Sequence, residues 1–146
     1  MNSATRRTDN IYWSFRRHLH AGIGATERIF FDPVSQPQPE DVDRWLIYDS
    51  GGVEAGLFSE VSTTIHCVSR NDTEGDVLAG LAADVTALFD RTRVNRSIDF
   101  YDKTTGAVVG SIDVQSVSVG ARTPYSTGIQ SIPVFIFSRV KTARNR

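Results

Sequence analysis

The ten residues Ser131–Val140, SIPVFIFSRV, restrict the fold more than any other segment. Side chains alternate between the two faces of a strand. One face here carries Ile132, Val134 and Ile136, and the other carries Phe135 and Phe137. A sheet covered by helices on one side needs a single apolar face. The second face therefore needs cover of its own, from the same chain, from a bend of the sheet or from a second subunit. Exposed aromatic surface of that extent marks an interface.

The rest of the chain supplies the sheet that this strand requires. Ile11, Phe15 and Leu19 recur at helical spacing, which predicts an amphipathic helix over about 9–21, capped by Thr8 or Asp9 and ended at Gly22. Its outer side carries Arg16 and Arg17. Ile29–Phe31 reads as a short strand. The prolines of DPVSQPQPEDVD, residues 32–43, predict an extended connection outside the sheet. It leads to a strand at Arg44–Asp49, broken by Ser50-Gly51-Gly52 and paired in a hairpin with a strand from about Leu57 to Val68. Leu78, Leu81, Val85 and Leu88 form one stripe of a second helix over 74–89. Strands follow at Ser97–Tyr101, Ser111–Val119 and Ser131–Val140, with a Gly/Pro/Thr loop at Gly120–Gln130. The apolar phase changes within the middle strand, even at Ile112 and Val114 and odd at Val117 and Val119, which predicts a bulge near Ser116. The expected class is α+β: a mainly antiparallel sheet with two helices packed on one face and long hairpin loops.

One stretch brings reactive side chains together: TTIHCVSRNDTEGD, Thr63–Asp76. Strand alternation places His66 and Cys67 on opposite faces, so they cannot share a site. Cys67 joins Val61, Thr63 and Ile65 on an inner face, and His66 joins Glu60, Ser62 and Thr64 on a polar one. Asp72 or Thr73 caps the second helix, with Thr73-x-x-Asp76 resembling a capping box. His18 and His20, two apart on a helix, point to different sides. Gly22-Ile23-Gly24 lacks the third glycine and preceding strand of a dinucleotide site. Nothing places Asp99 and Asp102 on a common cleft. No catalytic, cofactor or metal residue is predicted.

Length and charge bound the function. At 146 residues the chain suits one domain, burying roughly two-thirds of its unfolded surface. A net charge of −1 excludes nucleic-acid or membrane binding by bulk charge alone. The charge is uneven, though. Arg6, Arg7, Arg16, Arg17 and Arg28 face only Asp9 and Glu27 in residues 1–28. Arg139, Lys141, Arg144 and Arg146 close the chain, while Asp72, Glu74, Asp76, Asp84 and Asp90 occupy 71–90 without a lysine or arginine. Basic ends of one subunit and the acidic segment of the next can complement each other around a ring. The lone Cys67 excludes an internal disulfide and fits a reducing cytoplasm. No apolar run has the length of a membrane span, and the N-terminus lacks the apolar block of a signal peptide.

This order of features resembles the tail terminator proteins of long-tailed bacteriophages over roughly residues 9–140. An amphipathic helix and an aromatic strand (IFFDP) come first, then a proline-bearing connection and a strand of the WLIY type. A long strand (VSTTIHCVSR) passes through a polar junction into a helix (GDVLAGLAADVTALFD). Two long C-terminal strands, GSIDVQSVSVG and IPVFIFSRV, complete the order. The resemblance implies a single domain over 1–146, with 1–8 and 141–146 as flexible basic ends. It implies a structural virion protein with no enzymatic activity and no cofactor, assembled in the host cytoplasm. Its subunits close into a homo-oligomeric ring, a hexamer, on the head-proximal end of the tail tube. There the ring ends tube growth and joins the head connector or adaptor protein, and DNA passes through the channel without specific recognition. Interface candidates on this reading are Arg6, Arg7, Arg16, Arg17, Phe135, Phe137 and Arg139. The alternatives are another head-to-tail joining or tail-completion protein, or a small α+β enzyme or ligand-binding domain using a polar sheet face around His66 and Tyr48.

Overall fold

The fold was analysed in a computed structural model. It describes residues 3–31, 34, 37–54, 59–90 and 97–142; the side chains at 3–7, 51–54, 59, 90 and 142 fall outside that description. The elements run α1 (Ser3–Ile23), β1 (Ile29–Phe30), β2 (Arg44–Glu54), β3 (Ser59–Arg70), α2 (Asp76–Asp90), β4 (Ser97–Tyr101), β5 (Val108–Val119), β6 (Thr123–Ser126) and β7 (Ile129–Thr142). Among the described residues the strands form one sheet in the order β1-β2-β3-β7-β5-β4, and β6 pairs with β7 off this path. β1 runs parallel to β2, and every other pairing is antiparallel. The class is α+β with a mostly antiparallel sheet, as expected.

The segment SIPVFIFSRV lies in the middle of this sheet, between β3 and β5. Val134, Ile136 and Val140 of β7 enter the main core. They meet Leu46 and Tyr48 of β2, Val61, Ile65 and Cys67 of β3, Ile112 and Val114 of β5, and Ile98 and Phe100 of β4. The same cluster takes Ile11, Phe15 and Leu19 from α1 and Leu78, Leu81 and Val85 from α2. Those are the stripes read from the sequence.

α1 is tied to both ends of the strand path. The Arg16 guanidinium lies over the ring of Phe31, just after β1, at 4.2 Å from its centroid. That of Arg17 lies 4.1 Å from the ring of Tyr101 at the end of β4. The Tyr101 N–H donates to Ser14 Oγ at 2.8 Å, and the Lys103 N–H donates to Asn10 Oδ1 at 3.0 Å. One helix thus touches both edges, so the sheet curls around it.

Several boundaries differ from expectation, each for a physical reason. α1 begins at Ser3, not near residue 9. Ala4, Arg6 and Arg7 are good helix formers, and Asp9 serves a tertiary contact with Lys103 (3.4 Å) instead of a cap. Ser50-Gly51-Gly52 does not break β2: the register shifts between Asp49 and Gly52, and pairing resumes to Glu54. A bulge absorbs the irregular residues while the hairpin goes on. The predicted bulge of β5 is present as a register shift between Val114 and Ser116. α2 begins at Asp76, since Gly75 has φ +78° and cannot belong to a right-handed helix. β7 runs through Lys141, paired with Asp113 at 2.9 Å, so the expected loose end does not start there. Residues 143–146 lie outside the description, as do 32, 33, 35 and 36 of the proline-bearing connection and Leu57.

The loop at Gly120–Gln130 holds the largest departure. It contains β6, and its Tyr125 packs against a second apolar cluster of Trp45, Ile47, Val68 and Ile129, together with Phe30 and Val42. The chain itself therefore covers part of the second sheet face, one of the three kinds of cover expected for it, and does so with a loop strand that the sequence pattern did not show.

Candidate assembly interface

Phe135 and Phe137 belong to the other side of β7 from the main core. In register, Phe137 lies between Ser62 of β3 and Ser116 of β5, and Phe135 between Thr64 and Ser118. Short hydroxyl side chains flank both rings, so the rings stand above their neighbours. Phe135 is 46% exposed, and Phe137 is half-buried. Two ion pairs and one polar contact border this patch: Arg139 Nε to Glu60 at 3.4 Å, Lys141 Nζ to Asp113 at 2.9 Å, and His66 Nε2 near Asp49 at 3.8 Å. Such exposed pairs contribute little to stability. They set a polar rim around an apolar centre, the usual anatomy of a protein–protein contact. Arg139, read as an interface residue, already has Glu60 as a partner within the chain.

Arg16 and Arg17 are both exposed on α1, as expected, and they border a cleft of about 380 Å³. Trp13, His20, Ala21 and Phe31 complete its lining, and no carboxylate is among them. The indole N–H of Trp13 is covered and has no acceptor among the described residues. The side chains of Arg6 and Arg7 lie outside the described residues.

The reactive-looking stretch Thr63–Asp76 resolves into structural roles. Cys67 is fully buried and unpaired, and burial pushes its thiol up to about 12. Asp72 caps α2. Its Oδ2 accepts from the Leu78 N–H at 2.8 Å and its Oδ1 from the Val77 N–H at 3.3 Å, while Ser69 Oγ donates to it at 3.1 Å. Burial alone would raise the Asp72 carboxyl; these donors hold it below the ordinary carboxylate value. Gly75 occupies the cap position without a side chain to offer, so Asp72 reaches across the turn to serve the donors. Thr73 takes no part in these cap bonds, and the capping-box expectation gives way to this arrangement.

The ligand-site alternative around His66 and Tyr48 fails on register. Tyr48 opposes Ile65 and is buried in the main core, whereas His66 opposes Ile47 on the other face. The two side chains open onto different sides of the sheet. His18 Nε2 is 3.1 Å from the Leu88 carbonyl oxygen, which joins α1 to α2. Tyr101 Oη donates to Asp99 at 3.4 Å, and Asp102 Oδ1 accepts from the Thr104 N–H at 2.9 Å in its own turn. No cluster of three or more His, Cys, Asp or Glu side chains suited to a metal occurs among the described residues. No helix among them is long and apolar enough to cross a membrane.

The Trp13 cleft and the Tyr125 cover were missed by sequence reasoning. Trp13 carried a usable signal: it lies on the side of α1 away from Ile11, Phe15 and Leu19, where an aromatic between two arginines has no core to join. Tyr125 carried none, because the fold of its loop depends on pairing with β7.

No family model matches this chain, and no curated protein matches it. Among the solved structures that match, one is a chain that superposes over 91% of this protein and 94% of its own length, with a TM-score of 0.66 and 15% sequence identity. Its designation states no activity, ligand or partner. At that identity the likeness is one of fold.

Proposed function

We propose that this chain is a structural virion protein of the tail-terminator kind. Six copies close into a ring on the head-proximal end of the tail tube, end its growth and present a joining surface to the head connector. The observation that carries this reading is the patch formed by exposed Phe135 and half-buried Phe137 at the centre of the sheet. Both helices, taken as covering one face, and β6, covering part of the other, leave this aromatic patch as surface for a neighbouring copy. Burying the exposed part of one such ring is worth about 1 kcal/mol, and a closed ring repeats that gain at every contact. The order of elements that resembles the terminator family supports the same reading.

Assembly measured by sedimentation and electron microscopy, with and without tail tubes, tests it. The Phe135→Ser/Phe137→Ser variant is expected to fold with a melting temperature within a few degrees of wild type and to lose ring formation. Unchanged assembly of that variant would contradict the proposal. A ring that binds head connectors and leaves tube ends bare would instead identify a neighbouring joining protein.

A further inference from the structure

The cleft on α1 is apolar at its floor, cationic at its rim and free of acids, which describes the complement of its occupant. Trp13 and Phe31 supply the aromatic surface, Arg16 and Arg17 the charge. The start of α2 has the matching chemistry. Val77 is 42% exposed there, an apolar side chain outside both apolar clusters of the described residues, and Glu74 and Asp76 beside it are exposed as well. The whole 71–90 segment carries acids with no lysine or arginine. The guanidinium of Arg122 lies against Gly75, next to this knob.

The knob is also continuous with the aromatic patch. Gly120 lies against Phe135 and Pro133, Arg122 follows two residues later against Gly75, and Gln130 Nε2 donates to the Asp72 carbonyl at 3.0 Å. Phe135, the 120–122 turn and the α2 start therefore form one connected surface. The cleft lies elsewhere, on α1.

We propose that the Trp13–Phe31 cleft receives the α2 start of a neighbouring copy. Val77 enters the cleft, and Glu74 and Asp76 pair with Arg16 and Arg17. A contact between two unlike surfaces is head-to-tail, the only kind that propagates into a ring of more than two subunits by a single repeated interface. The inference rests on the ring reading and names its contact.

Charge exchange in the full chain tests it, read by sedimentation velocity and electron microscopy alone and with tail tubes. Arg16→Glu/Arg17→Glu and Glu74→Lys/Asp76→Lys are each expected to lower the ring population at least tenfold. The variant carrying all four changes restores complementarity and is expected to regain rings. Val77→Ser and Ala21→Trp, which leave every charge in place, empty the knob and fill the cleft; each is expected to weaken assembly, with folding checked by circular dichroism. Wild-type rings with either reversal assembling equally well, or with folded fourfold and uncharged variants that give no such pattern, would overturn the contact while leaving the ring intact. Wild-type protein that forms no ring, free or on tubes, would overturn the ring reading and this contact together.

Discussion

Asp72 shows how one side chain fixes a junction. It serves the Val77 and Leu78 N–H groups, which a cap residue normally satisfies, and it holds the buried Ser69 hydroxyl as well. Replacing a cap by alanine costs about 1 kcal/mol, and the stranded Ser69 hydroxyl adds to that. Asp72→Ala is therefore expected to lose about 2 kcal/mol in urea denaturation at pH 7. The pH dependence has a definite sign. The folded-state carboxyl titrates below its unfolded value, so its stabilisation is complete above about pH 4 and fades as pH falls through the lower folded value. The gap between wild type and Asp72→Asn should narrow below pH 4 and stay constant above it. Cys67 makes a second residue-scale prediction. With its thiol buried and pushed up to about 12, alkylation by iodoacetamide should follow global unfolding, with no reaction in the folded state. Alkylation of native protein at the rate of a free thiol would contradict the burial.

Among the elements, β5 was the most legible, because its hydrophobic phase changed within one strand. The bulge between Val114 and Ser116 returns Val117 to the core side and keeps Ser116 and Ser118 beside the two phenylalanines. Deleting Gln115 removes the extra residue and leaves Ser116 opposite Phe137 and Val117 opposite Ile136 in a regular ladder, so the later side chains keep their faces. The deletion is therefore expected to change stability by about 1 kcal/mol or less; a loss of several times that in thermal melts would contradict the register. Helix α2 was equally legible in its stripe and misread at its start, since a left-handed Gly75 is a backbone fact that no periodicity carries. The Ser50–Gly52 bulge was misread for a related reason: two glycines mark an irregularity, and only the partner strand decides whether pairing resumes. β6 was invisible, four residues whose strand character comes from lying along β7.

For the whole molecule, the two-faced apolar pattern of Ser131–Val140 led to the central position of β7 and to the aromatic patch. What that pattern leaves undetermined is which surface covers the second face, and β6 with Tyr125 takes part of it. The remaining patch, the acidic α2 start and the cationic α1 cleft are three features of one assembly account. The most direct measurement is electron microscopy of the purified protein mixed with tail tubes from the same virion, paired with sedimentation of the protein alone. The account predicts closed rings seated on a single end of each tube and no further tube growth. Tubes that stay bare and continue to grow, with the protein remaining monomeric at every concentration, would contradict it.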